Sequence, residues 1–109
     1  MLRLNKQSKI IVFPKPINFH KSFDALTDLV ANELKIELEP HLFILFSNAR
    51  KNRIKILHHD GQHLVISAAR FEHALYFSFK NTIVFNSVSF HEFLNTPNPR
   101  RRINRIKKS

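Results

Sequence analysis

The stretch RIKILHHDGQHLVIS, residues 53 to 67, decides how this chain folds. Arg53 to Leu57 and His63 to Ser67 alternate and are rich in β-branched residues, the pattern of half-buried strands. Asp60-Gly61 between them is a strong hairpin signal, because a two-residue type I′ turn needs positive φ at both central positions. Gly61 is the only glycine in the chain and stands where the backbone needs one. With Asp60-Gly61 as the loop, the expected register has His59 facing Gln62, His58 facing His63 and Leu57 facing Leu64.

That register brings the Cβ atoms of His58 and His63 to roughly 4.5–5.5 Å, close enough for two imidazoles to share a metal. A zinc site takes three or four protein ligands, however, and the chain has no cysteine. His20, His41, His73 and His91 are scattered without ligand spacing, and Asp60 is placed to bond its own turn. No metal or other cofactor is therefore expected. His58, His59, Asp60, Gly61 and His63 read as a hairpin tip that is structural or touches a partner. No His-x-x-x-His on a helix, Gly-rich phosphate loop or Ser/His/Asp set appears, so the chain does not read as an enzyme.

Upstream of the hairpin, KIIVF (residues 9–13) reads as a strand closed by Pro14 and Pro16. Asn18 is an N-cap candidate for a long helix to about Leu38, with Phe19, Phe23, Leu26, Val30 and Leu34 as one apolar stripe. Its other face carries Asp24, Asp28, Glu33, Glu37 and Glu39. HLFILF (residues 41–46) is a continuous apolar run, as in a central strand buried on both faces. Downstream, ALYFSF (residues 74–79) and TIVF (residues 82–85) read as strands joined by a tight Lys80-Asn81 turn. Ser89 with Glu92 fits a capping box for a short helix to about Leu94. The order predicts an α+β fold, an antiparallel sheet of about five short strands packed against one long N-terminal helix.

The 109 residues make one domain, and 43% of them are hydrophobic. No segment approaches the ~20 apolar residues of a membrane span, and the N-terminus carries no signal pattern, so a cytoplasmic protein without membrane contact is expected. The net charge is +10. Arg3, Lys6 and Lys9 at one end, with Arg100, Arg101, Arg102, Arg105, Lys107 and Lys108 at the other, hold nine of the 18 positive charges and no acid. The expected organisation is a basic tail (1–9), one domain (10–96) and a second basic tail (97–109). Such tails bind polyanions. A second basic strip, Arg50, Lys51, Arg53 and Lys55 with Arg70 nearby, leads into the hairpin.

FDALTDLV (residues 23–30), HLFILFSN (41–48), RIKILHHDG (53–61) and RFE (70–72) together resemble the accessory protein of insertion sequence 66-type transposable elements, the product of the second open reading frame. The resemblance spans roughly residues 10–95, and its signature is the Lys-x-Leu-x-x-Asp-Gly frame of Lys55, Leu57, Asp60 and Gly61. The family usually carries aromatic residues where His58 and His59 stand, and a second glycine at His63. It has Lys-Arg-Leu-Glu where this chain reads Ala69-Arg70-Phe71-Glu72, and an arginine at His20 beside Lys21.

The resemblance implies a role in transposition beside a separate transposase, and offers no catalytic residues. Together with the charge, it makes the leading expectation a non-enzymatic accessory factor. Its expected partners are element-end DNA, transposase and other transposition proteins. DNA contact is assigned to Arg50, Lys51, Arg53, Lys55, Arg70 and the six basic residues of the C-terminal tail. A protein–protein adapter without DNA contact is the alternative, and a metal-dependent nuclease using the histidines stands third.

Overall fold

A computed structural model describes residues 3–80 and 82–96. Five strands form one mixed sheet: β1 (Lys9–Val12), β2 (Leu42–Ser47), β3 (Arg53–His59), β4 (Leu64–Arg70) and β5 (Ile83–Phe85), in the order β4-β3-β2-β1-β5. β2 runs antiparallel to β3, β3 to β4 and β1 to β5, but β1 and β2 are parallel. The antiparallel sheet expected from the sequence is corrected by that one pair. The physical reason is the long connection over residues 13–41, which contains a helix and returns the chain to the same end of the sheet, as parallel neighbours require.

The long helix is corrected as well. Helix α1 covers only Phe23–Leu29, capped by Ser22, and continues as a π-helical turn over Val30–Leu34. Asn18 instead closes a turn before the helix, its carboxamide oxygen accepting the His20 N–H at 2.9 Å. Lys35 ends the helical run in the left-handed region, at φ 56°. Beyond it Ile36, Glu37, Leu38 and Glu39 alternate half-buried and exposed, a strand-like period that cannot extend a helix.

ALYFSF is not a strand of the sheet. It alternates, with Leu75 buried, Phe77 and Phe79 half-buried and Tyr76 and Ser78 exposed. Its ties, however, go to the β2–β3 loop: the Leu75 N–H donates to the Lys51 carbonyl at 2.7 Å, and the Phe77 carbonyl accepts from the Lys51 ammonium. The segment is therefore an extended strap over one sheet face. β5 pairs with β1 rather than with that strap, so the tight hairpin between them does not form, and Asn81 lies outside the described residues. Helix α2 (Ser87–Asn95) is capped by Asn86, with Ser89 as the reciprocal partner of the capping box rather than the cap.

β2 is buried along nearly its whole length on both faces, as its unbroken apolar run predicts. On one face Ile10, Val12, Phe43, Leu45, Ile54 and Ile56 pack with Leu75 of the strap and Phe90 and Phe93 of α2. On the other, Ile44, Phe46 and Leu57 pack with Phe13, Ile17, Leu26 and Val30. The result is a three-layer arrangement in which β4 is the long outer edge and α1 is a short lid. Among the described residues no helix is long and apolar enough to cross a membrane.

Candidate nucleic-acid interface at the base of the hairpin

The β3–β4 hairpin forms, but two residues out of the predicted register. His59 pairs with Leu64, His58 with Val65 and Leu57 with Ile66. Gly61 and Gln62 are now the central residues of the turn, with Asp60 and His63 flanking it. The shift of two preserves which side chains face which core, so the hydrophobic pattern does not oppose it. Local bonds select it. One Asp60 carboxylate oxygen accepts the N–H groups of Gln62 and His63 at 2.9 and 2.7 Å, and the other lies 3.1 Å from the His63 ring. The Asp60 N–H donates to the His63 carbonyl at 3.0 Å, and the Gly61 N–H to Nδ1 of His59 at 3.0 Å. Gly61 adopts φ 101° at the first central position, where a type II′ turn takes glycine.

The expected cross-strand His58–His63 pair is thereby dissolved. His58 points towards the face covered by α2 and the strap, its ring 4.7 Å from that of Phe43 and tilted by 32°. Its Nδ1 is buried without a hydrogen-bond partner. Burial lowers its pKa below 6.5, the Asp60 charge opposes that shift, and His59 adds to it. Asp60 is held far below the ordinary carboxylate range, first by the two backbone N–H groups and then by the His63 ring. The tip is committed to its own turn, and among the described residues no three His, Asp or Glu side chains converge as metal ligands would.

The basic strip lies at the other end of the same hairpin. Arg53 pairs with Arg70 six positions along the ladder from the His59–Leu64 pair, about 20 Å away at ~3.4 Å per residue. Strip and tip are therefore two surfaces. Within the strip the four side chains have different jobs. The Lys51 ammonium donates to the carbonyl of Phe77 and sits 5.1 and 5.2 Å from the ring centres of Phe77 and Phe79. That of Lys55 donates to the carbonyl of Phe19 at 2.7 Å, with the Phe19 ring centre 5.1 Å away. These two lysines pin the strap and the pre-helix loop to opposite faces of the sheet.

Arg50, Arg53 and Arg70 are exposed. Arg53 and Arg70 stand directly opposite each other in an antiparallel ladder, a placement that like charges disfavour unless an anion joins them. Among the described residues the carboxylates in contact with a basic side chain are Glu33, paired with Lys15, and Asp60, beside the His63 ring, so no described carboxylate neutralises either arginine. Beside them opens a shallow cavity of about 330 Å³, lined by Phe19, Arg53, Ile54, Ala68, Ala69 and Arg70.

The base of the hairpin is set by Asn48, which the sequence reading passed over. Its carboxamide oxygen accepts the N–H groups of Asn52 and Arg53, both at 3.1 Å, and its Nδ2 donates to the Asn52 side chain at 2.7 Å. This holds the β2–β3 turn, with Lys51 at φ 62°, and starts β3 at Arg53. Phe19 was also missed as a site residue, because it read as the first step of a helical stripe. Arg100, Arg101, Arg102, Arg105, Lys107 and Lys108 lie outside the described residues.

A family model described as IS66 Orf2 like protein matches residues 8–91, which include the whole sheet, most of the core on both its faces and the hairpin with its arginine pair. No curated protein and no solved structure matches the chain. The match takes in well over half of the sequence, the residues of the Lys-x-Leu-x-x-Asp-Gly frame among them: the chain belongs to the IS66 Orf2-like family of insertion-sequence proteins, and its role is associated with transposition.

Proposed function

We propose that this family member is a non-enzymatic accessory factor that assists the transposase and touches element DNA through the base of its β3–β4 hairpin. The observation that carries this reading is the facing Arg53–Arg70 pair, exposed and without a described carboxylate partner. Two guanidinium groups held side by side by a sheet are a preformed site for phosphate oxygens, which arginine grips bidentately. Arg50 lies in the adjoining turn, and the six basic residues from Arg100 to Lys108 add charge to the same polyanion. Lys51 and Lys55 drop out of the DNA-contacting set in this reading, because their ammonium groups are spent on backbone carbonyls.

A protein–protein adapter is the second reading. It is favoured by the exposed carboxylates of Asp24, Asp28, Glu37 and Glu39, which present an acidic surface to a basic partner.

Salt-dependent titration of the full-length protein against labelled duplex and single-stranded DNA separates the two. Each phosphate contact contributes about 0.9 to the log–log salt slope on duplex and about 0.7 on single strands. An Arg53→Gln/Arg70→Gln variant should therefore lose about 1.4–1.8 of the slope while keeping the sheet intact. Absence of any salt-sensitive binding to either form of DNA would leave the adapter reading in place.

A further inference from the structure

We infer that the cavity at the base of the hairpin is a seat for one unpaired nucleotide of a single-stranded nucleic acid, with Phe19 as its stacking platform and Arg53 and Arg70 as its phosphate clamp. The inference rests on the DNA-contact reading above and narrows it to a class of ligand.

Arg53, Lys55 and Leu57 project from one face of β3, and the cross-strand partners of the first two, Arg70 and Ala68, project from the same face of β4. On that face the arginine pair is followed by Lys55 opposite Ala68. The Lys55 ammonium leaves the surface to bond the Phe19 carbonyl, and so fixes Phe19 beside the strand instead of reaching solvent. On this face Ala68 is exposed and small, so its side chain fills little of the space beside Phe19, while Ala69, opposite Ile54, projects to the other face. The cavity thus has a half-buried phenyl ring on one side, the small Ala68 on its floor and two unpaired guanidinium groups at its end.

Each element suits a splayed nucleotide. A base offers a flat apolar surface to the Phe19 ring and Ala68, and its phosphate meets the arginines. Aromatic stacking serves every base, which gives single-strand affinity without sequence reading. A duplex keeps its bases stacked inside, so it offers phosphates to the arginines but no face to Phe19. β4 is also the outer strand of the sheet, so its free edge lies open beside the base. The cavity holds no acidic side chain; the nearest in sequence, Glu72, makes no ion pair with a described residue.

The test is fluorescence anisotropy of the full-length protein with a labelled oligo-thymidine, an oligo-uridine of equal length and a duplex of equal length. Wild type, Phe19→Leu, Phe19→Trp and Arg53→Gln/Arg70→Gln are compared. The expected result is a loss of about tenfold in single-strand affinity for Phe19→Leu, unchanged duplex affinity, and retention or gain with Phe19→Trp. Comparable losses on the thymidine and uridine strands keep the ligand class as single-stranded nucleic acid, and a loss on one alone narrows it to the DNA or the RNA strand. Equal losses on duplex and single strand, or no loss on either with salt-sensitive binding intact, would overturn the nucleotide seat and leave the arginine contact standing. No salt-sensitive binding in any arm would overturn both.

Discussion

The Lys55 ammonium donates to the carbonyl oxygen of Phe19 at 2.7 Å, joining the middle of β3 to a loop 36 positions earlier in the chain. The charge also lies 5.1 Å from the Phe19 ring centre. Lys55→Met keeps the apolar stem and removes both contacts. It is expected to cost about 1 kcal/mol, modest because water can reach the freed carbonyl. Chemical denaturation measures that loss. In the same variant the salt slope of DNA binding should stay at the wild-type value, because the lysine holds the fold and not a phosphate.

Asn48 is the second stability determinant of this region. Asn48→Ala strips the acceptor from two backbone N–H groups and the donor from the Asn52 side chain in one step. The Asn52 N–H is part-buried and the Arg53 N–H exposed, where water can replace the lost acceptor, so a loss of about 1–2 kcal/mol is expected in denaturant unfolding. Asn48→Asp keeps the acceptor for both N–H groups and should recover most of it.

Which parts of this structure could be read from the residues follows from what each pattern encodes. Alternation in RIKIL and the unbroken run HLFILF report burial, and burial placed both strands correctly. Alternation in ALYFSF is equally real, but it reports only an extended backbone with one face covered. It is silent on whether that backbone pairs with a strand or with a loop, and here Lys51 of the loop takes the bonds. Phe19 extends the apolar stripe at a period of 3.6 by position alone and so lengthens the predicted helix, while the Ser22 cap and the left-handed Lys35 set its ends. The hairpin register slipped because Asp60-Gly61 satisfies one turn and Gly61-Gln62 another with the same cores. The Asp60 side-chain bonds decide between them. The arginine pair at Arg53 and Arg70 emerges only once that register is known, since the predicted one would have placed Arg53 opposite Ala68.

His58 gives a pH signature. Burial depresses its pKa in the folded chain, so between the ordinary value of 6.5 and the lower folded value the unfolded chain binds a proton that the folded chain does not. Stability should therefore fall as pH drops from about 7 towards 5. His58→Phe retains a ring against Phe43 and removes the orphaned Nδ1. It is expected to gain about 1 kcal/mol at neutral pH and to flatten the unfolding midpoint over that interval.

Asp60 acts at lower pH and with the same sign. Its carboxyl is depressed in the folded chain, so its stabilisation is present above the ordinary value of 3.8 and is lost as pH falls below it. Asp60→Asn keeps an oxygen for the N–H groups of Gln62 and His63 but cannot titrate. The acid limb of a stability profile below pH 4 should be shallower in this variant than in wild type, while Asp60→Ala should be destabilised at all pH values.

Gly61 separates backbone strain from packing at the turn. Its φ of 101° lies in a region that side chains disfavour, and a Cβ added there would meet no atom within 4 Å. Gly61→Ala therefore carries a conformational cost without a steric one, about 1–2 kcal/mol. Gln62→Ala, one position on and exposed, should change stability by less than about 0.5 kcal/mol. Because the tip is about 20 Å from the arginine pair, Gly61→Ala should leave the salt dependence of DNA binding unchanged at temperatures where the variant is folded. A loss of DNA affinity in folded Gly61→Ala protein would instead make the tip part of the interface and add His59 and His63 to the contact set.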